Sequence, residues 1–364
     1  MSVQVSYKKQ VLVGIFLLLL VLIIFEGILR IYDHYNPNCK MTSSDVFSDT
    51  DDELKRSICL DNDNLRWSDF PYLHLEPNQH YTTIDINTHG FRGDEITVDK
   101  PFDTFRIFVI GGSTTFGVGS TSNSNTIPGY LQNYFNSVPE LNVEVINAGI
   151  PKAFSYSEIN YVQKSLLKYE PDLLIVYDGF NDLGRSSDKY YEETGDTSLL
   201  SKIMRMLFKN PYYETPGILL KNYQNWRINT VDSVKSQNFE DIDQRVKLWQ
   251  KSWSEICELG NKENFDVVIT LQPLLGTGLK QLTNEEKKNY SLYNQNEKLS
   301  NYKKFGPALN ELNSTCTATK DLRNSFDNYS ETIFFDGGHV GDLGNQIIAE
   351  KLFEISLPII EKNS

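Results

Sequence analysis

Apolar residues follow two different rhythms along this chain. From Val11 to Phe25 every residue is apolar or glycine; Gly27, Ile28 and Leu29 carry the run past Glu26, and Arg30 closes it. The run is apolar on all faces, which argues against a core helix, and with its extension it approaches the ~20 residues that span a bilayer. No small-x-small cleavage site follows, so an uncleaved signal anchor over residues 11–32 is expected rather than a removed signal peptide. Lys8 and Lys9 precede it, and the excess of positive charge on that side makes residues 1–10 cytoplasmic and leaves the chain from about residue 33 onward outside the cytoplasm.

The second rhythm begins at Phe105. Short apolar runs at 105–110, 142–147, 172–177, 265–271 and 332–335 read as strands, and longer amphipathic stretches near 126–137, 155–169, 240–262, 304–325 and 342–355 read as helices. Apolar strands separated by helices predict an α/β domain, a parallel sheet covered on both faces, over residues 101–364. Residues 33–100 lack the alternation. Within them, 36–66 is polar and acidic and reads as a stalk or an irregular cap, and 70–100 holds short extended pieces and the turn Asn87-Thr-His-Gly-Phe-Arg-Gly93, a lead-in packed on the main domain. An insertion at about 183–264 interrupts that domain. Its first part has no strand signal and carries Tyr190, Tyr191, Tyr212, Tyr213, Tyr223 and Trp226, with Trp249 and Trp253 just beyond. It is too long for a simple loop and reads either as a substrate-facing lid or as a helical subdomain with its own aromatic core.

Composition narrows the function. The 364 residues are 40% hydrophobic and 12% aromatic, enough for a large core, and the formal net charge is -13 with a pI near 4.9. Such an acidic chain does not suit nucleic acid, whose phosphates need clustered Lys and Arg. The four cysteines, Cys39, Cys59, Cys257 and Cys316, show no C-x-x-C spacing, so zinc and thioredoxin chemistry are disfavoured. Two disulfides are open to them in an oxidising compartment; sequence does not give the pairing, with Cys39 to Cys59 and Cys257 to Cys316 among the combinations open. Asn289, Asn313 and Asn328 each open an N-x-S/T sequon.

Candidate chemistry gathers after the strands. Phe105 to Ile110 runs into Gly111-Gly112 and then Ser113, a hydroxyl at a sharp strand-to-helix turn, where the positive end of a helix dipole favours an oxyanion. A serine nucleophile needs a base and a group to orient that base. Of His34, His74, His80, His89 and His339, only His339 lies after Ser113, in Asp336-Gly-Gly-His339 following the last expected strand. Asp336, three residues before it, is within reach of the imidazole. Asp342 is the rival carboxylate and is better placed at the start of the last helix. Asn147-Ala-Gly149 and Gly179-Phe-Asn-Asp182 follow the second and third strands, where Gly149 could offer a backbone N–H and Asn181 a side-chain amide to an oxyanion. A P-loop fails for want of Lys-Ser/Thr after the glycines, and a G-x-S-x-G elbow fails at Thr115. No His pair has metal spacing, and this chemistry needs neither metal nor cofactor.

The four stretches Gly111-Gly-Ser-Thr-Thr-Phe-Gly117, Asn147-Ala-Gly149, Gly179-Phe-Asn-Asp182 and Asp336-Gly-Gly-His339 resemble, in order, the four blocks of the SGNH hydrolases, also called GDSL-type esterases. The resemblance covers about residues 87–356. It implies a three-layer α/β/α sandwich with a five-stranded parallel sheet. It also implies Ser113 as nucleophile and first oxyanion donor, Gly149 and Asn181 as the other donors, His339 as base and Asp336 as its orienting acid. At Gly112 many members carry Asp instead; membrane-anchored relatives acting on cell-surface glycans often look like this chain. The expectation is therefore a membrane-anchored, extracytoplasmic serine esterase whose partners are membrane lipid, through the N-terminal helix, and an O-acylated, preferably O-acetylated, glycan. An O-acyltransferase with the same triad and a non-catalytic glycan-binding protein of the same fold are the alternatives.

Overall fold

The computed structural model describes residues 6–35, 39, 41–68, 71–184, 219 and 241–363. Five strands, β1 (Phe105–Gly111), β2 (Val143–Asn147), β3 (Leu173–Asp178), β4 (Asp266–Leu271) and β5 (Ala318–Asp321), pair in parallel in the order β2-β1-β3-β4-β5. Strand alternation sorts their side chains. Ile107, Val109, Ile175 and Val268 join Leu131, Phe135, Ile348 and Leu352 on one face, while Phe108, Ile110, Leu174 and Val176 join Ile159, Trp249, Trp253 and Ile256 on the other. Both faces are covered, which is why the strands read as apolar runs rather than as alternating ones. The fold is the expected three-layer α/β/α sandwich.

Local signals set the helix ends. Thr126 caps Ile127–Asn136 by accepting from the Gly129 amide, with Pro128 in the first turn. Asn264, at φ 62°, ends Ile242–Glu263 in the left-handed region. The stretch expected near 155–169 is α-helical over Ser155–Tyr161 and continues through a π turn and a 3₁₀ turn. The last helix, Asp342–Asn363, runs beyond its expected end.

Two expectations fail together. The fifth strand is Ala318–Asp321, inside the expected helix 304–325, of which only Phe305–Glu311 is α-helical. The segment 332–335 is not a sheet strand; among the described residues its only bridge joins Phe334 to Val340. Edge strand β5 needs no continuous apolar run because its side chains are only half covered. Ile333 and Phe334 are apolar because they plug the core beside Phe326 and Ile347, not because they belong to the sheet.

The β2 edge of the sheet is closed. The Gln132 side chain reaches β2 from the helix beside it, accepting from the Val145 amide at 2.6 Å and donating to the Val143 carbonyl at 2.9 Å, as a neighbouring strand would. Arg92 of the lead-in pairs antiparallel with Asn147 at the end of the same strand. Ile84, Ile86 and Phe91 bury themselves in the main core. Residues 41–64 form a cap, not a free stalk: the helix Asp52–Asn64 is capped by Asp51 and stapled by a Cys39–Cys59 disulfide, and Phe47 and Ile58 pack on Phe335.

The N-terminal helix, Tyr7–Tyr35, presents its apolar side chains outward and is long and apolar enough to cross a membrane. Its Glu26 is paired with Arg30 at 2.7 Å. Tyr190, Tyr191, Tyr212, Tyr213, Tyr223 and Trp226 lie outside the described residues. Trp249 and Trp253 are core residues, fully buried.

A second disulfide, Cys257–Cys316, ties helix Ile242–Glu263 to the turn before β5 across 59 residues. Closing a loop of that length restricts the unfolded chain by about 4 kcal/mol. Cys257→Ala/Cys316→Ala should lower unfolding stability by that order in urea titration. An unchanged midpoint would show that the bridge contributes nothing.

Candidate active site

The order of the chain across the sheet reverses between β1 and β3, so the loops leaving those two strands diverge and open a crevice at the carboxyl edge. Ser113 stands there, the first residue of a short helix, Ser113–Phe116, that Gly117 ends in the left-handed region at φ 93°. Two glycines let other loops close on it. A Cβ on Gly112 would lie 2.4 Å from the Asn181 amide nitrogen, and one on Gly149 would lie 2.2 Å from the Phe116 backbone nitrogen. The departure at Gly112 thus makes room for Asn181. Arg92, buried, donates to the Phe116 and Gly117 carbonyls at 3.0 and 2.8 Å and to the Thr83 carbonyl, bracing the far end of the serine helix on the lead-in. Burial lowers its guanidinium pKa to about 9, which leaves it charged at neutral pH.

His339 arrives on a loop. Its Nε2 is 2.7 Å from Ser113 Oγ, and its Nδ1 is 2.7 Å from Asp336 Oδ2. A carboxylate only accepts, so Nδ1 carries the proton and Nε2 presents a lone pair to the hydroxyl. The other Asp336 oxygen accepts from the Gly338 and His339 amides at 2.9 and 2.8 Å, which fixes acid and imidazole within one turn. Burial alone would lower the His339 pKa, but the charge and hydrogen bond of Asp336 outweigh it and raise the pKa above 6.5. Burial would raise Asp336, yet His339 and the two amides bring it below the usual carboxylate range.

This loop is held from outside the sheet. The Glu286 carboxylate accepts from the Ile333 and Phe334 amides at 3.0 and 3.3 Å. Its other oxygen accepts from Lys280 at 2.7 Å and from the Thr283 amide, and both charged side chains are buried. Gln295 donates to the Gly337 carbonyl, and Asn289 donates to the Phe335 carbonyl at 3.2 Å, so that sequon's amide is occupied under the loop. Phe335 stacks on His339 at 5.6 Å, and Phe180 meets the imidazole edge-on at 6.5 Å.

The oxyanion candidates converge to different degrees. As the first residue of a helix, Ser113 has an N–H with no intrahelical acceptor. Asn181 gives one amide N–H to the Ala153 carbonyl at 2.6 Å and keeps a second. The Gly149 N–H donates to Asn147 Oδ1 at 3.1 Å, within its own turn. Behind Asn181, Asp182 accepts from the Ser155 amide and hydroxyl, and Asp178 accepts from the Trp249 indole. Burial, reinforced by neighbouring carboxylates, raises Asp178 and Glu158 well above the usual range.

The rival Asp342 opens the last helix and accepts from Thr121 and Asn125 instead. His74 contacts the Tyr72 carbonyl, His80 pairs with Asp85 and His89 contacts Tyr169, all away from Ser113. Glu286, Lys280, Phe335 and Phe180 carried no sequence signal for this site, apart from the Thr283-x-x-Glu286 capping box. Among the described residues, no group of three metal-ligating side chains occurs.

The sequence profile of the GDSL-like Lipase/Acylhydrolase family matches residues 107–352. No curated protein sequence matches the chain. Similar solved structures include the acetyl xylan esterase AlAXEase, at 14% identity over 69% of this chain and 99% of that one, with a TM-score of 0.40. A point mutant of Axe2, an acetyl-xylooligosaccharide esterase from Geobacillus Stearmophilus, matches at 12% identity over 69% and 93%, with a TM-score of 0.42. A lipase/acylhydrolase from Enterococcus faecalis matches at 14% identity over 69% and 95%, with a TM-score of 0.43.

Glu286→Gln leaves Lys280 buried without its counter-charge and removes an acceptor oxygen from the loop. Breaking one side of a buried pair costs about 3–5 kcal/mol. Urea unfolding should show a loss of that size, with a fall in esterase kcat under conditions where the variant is still folded. A native-like midpoint would mean that the loop is held by other contacts.

Proposed function

The chain belongs to the GDSL-like lipase/acylhydrolase family, an SGNH serine hydrolase acting on esters, and on that footing we propose how it works and where. The hydrogen-bond chain Ser113–His339–Asp336, 2.7 Å at each joint, carries the reading. Ser113 Oγ attacks the ester carbonyl carbon as His339 Nε2 takes its proton, and Asp336 holds the imidazolium that forms. The Ser113 N–H, the spare Asn181 N–H and the Gly149 N–H, released from Asn147, receive the oxyanion. Collapse breaks the ester C–O bond, and His339 returns the proton to the leaving alcohol. Water, deprotonated by His339, then attacks the acyl-Ser113 intermediate; the C–Oγ bond breaks, the acid is freed and His339 returns the proton to Ser113 Oγ.

We assign the substrate as a small acyl ester, preferably O-acetyl, on a glycan outside the cytoplasm. The aromatic rings of Phe180 and Tyr293 and the ammonium of Lys298 beside the imidazole support a polar alcohol such as a sugar, whose C–H face can stack on a ring. Helix Tyr7–Tyr35 serves as the membrane anchor, with residues 1–10 cytoplasmic, and the two disulfides suit the oxidising side. On this reading residues 33–100 link the anchor to the catalytic domain, 101–364, and cap it.

Ser113→Ala should cut hydrolysis of p-nitrophenyl acetate by about six orders of magnitude with the fold unchanged. Residual turnover near the wild-type level would remove Ser113 from the mechanism. The base must be neutral to act, and its pKa is raised. The kcat/KM profile should therefore fall on the acid side with an apparent pKa above 6.5. In Asp336→Asn that limb should move to lower pH, with turnover reduced about 10⁴-fold; an unmoved limb would argue against the pair. Removing residues 1–35 should free the protein from membranes while p-nitrophenyl acetate hydrolysis persists, a result that fractionation and assay can contradict directly.

A further inference from the structure

One cation beside the triad lacks an acceptor among the described residues. Lys298 lies in the first turn of helix Gln295–Tyr302, whose first residue holds the Gly337 carbonyl. It is only 9% exposed, and its ammonium sits 6.0 Å from the centre of the Phe180 ring and 5.9 Å from that of Tyr293. Phe180 precedes Asn181 and meets His339 edge-on, and the Tyr293 Cβ lies 3.5 Å from where a Cβ on Gly337 would stand. The side chain is largely covered, but its ammonium is still reached by solvent where it lies between Phe180 and Tyr293, beside the Ser113–His339 site. Among the described residues its side chain makes no hydrogen bond and no ion pair, and the Tyr293 hydroxyl likewise has no hydrogen-bond partner. Burial lowers the Lys298 pKa, and the field of Asp336 only partly restores it.

An ammonium carries three donors, and with no acceptor among the described residues those of Lys298 are left to solvent. A ligand anion would supply what the protein withholds. We propose that Lys298 binds a carboxylate carried by the substrate, so that the preferred esters are acylated acidic sugars of the uronic acid kind. This rests on the reading of Ser113 as the nucleophile. A single lysine charge matches a monoanion, whereas a phosphate dianion would be left half compensated. The surrounding chain, at net charge -13, also repels a dianion more strongly. The Phe180 and Tyr293 rings offer flat faces for the sugar ring while its carboxylate reaches the ammonium.

The test compares a mono-O-acetylated methyl glucuronoside with the matching methyl glucoside, using the full chain in detergent, with p-nitrophenyl acetate as the common reference. Wild type should favour the glucuronoside in kcat/KM by about 10- to 100-fold, the scale of one charge-assisted hydrogen bond. Lys298→Met should bring the ratio near one, and Lys298→Arg should keep much of it. Taking the ratio cancels any general effect on turnover, and a melting curve for each variant confirms the fold. A wild-type ratio of one or less, or a ratio kept in folded Lys298→Met, overturns the proposal. Absence of p-nitrophenyl acetate hydrolysis in wild type, or its persistence in Ser113→Ala, overturns the serine-esterase reading and this inference with it.

Discussion

Ser113 and His339 meet only because a segment outside the sheet is held at a fixed height above its carboxyl edge. Glu286 supplies that hold. Its two oxygens take the amides of Ile333 and Phe334 on one side and Lys280 with Thr283 on the other. The carboxylate stands where a neighbouring strand would offer carbonyls, and its buried partner keeps its charge matched. From that joint outward the geometry is local. Asp336 is bound to the amides of Gly338 and His339, so acid and imidazole travel together, and only the joint between Ser113 and His339 depends on the wider fold.

The opposite wall of the crevice is built by close approach. Glycine at 112 and at 149 lets the Asn181 amide and the β2 loop lie against the serine helix at distances that no side chain allows. Arg92 ties the far end of that helix to the lead-in, and Phe47 and Ile58 of the cap press on Phe335, which stacks on His339. The segments before the sheet are therefore part of the support of the site, not a spacer ahead of it.

Much of this was legible in the sequence where one residue type answers to one physical cause. Strands β1, β3 and β4 were readable because each is buried on both faces, and β2 because Val143, Val145 and Ile146 still make a short apolar run. Strand β5 was not, because Ala-Thr-Lys-Asp is a half-covered edge without an apolar run. Thr332-Ile-Phe-Phe misled because core plugging and strand burial demand the same residues; only the destination of the amides separates them. Ser113, Asn181, Asp336 and His339 stood out as polar residues beside glycine turns. Glu286 showed half of its role, the capping box with Thr283, while its grip on residues 333 and 334, 47 and 48 positions away, leaves no mark in local pattern. Lys298 was one lysine among many until its surroundings were known.

Gln132, a side chain that imitates a strand along the free edge of β2, has a consequence for proteins that share a surface. If helix Tyr7–Tyr35 tethers the domain, every copy is confined to one plane, where local concentrations reach about the millimolar range. Unpaired strand edges in such two-dimensional crowding would template edge-to-edge polymerisation. One edge here is already satisfied by an amide that cannot propagate, and the other is a four-residue strand with Lys320 turned outward. Neighbours can diffuse past each other without their sheets joining.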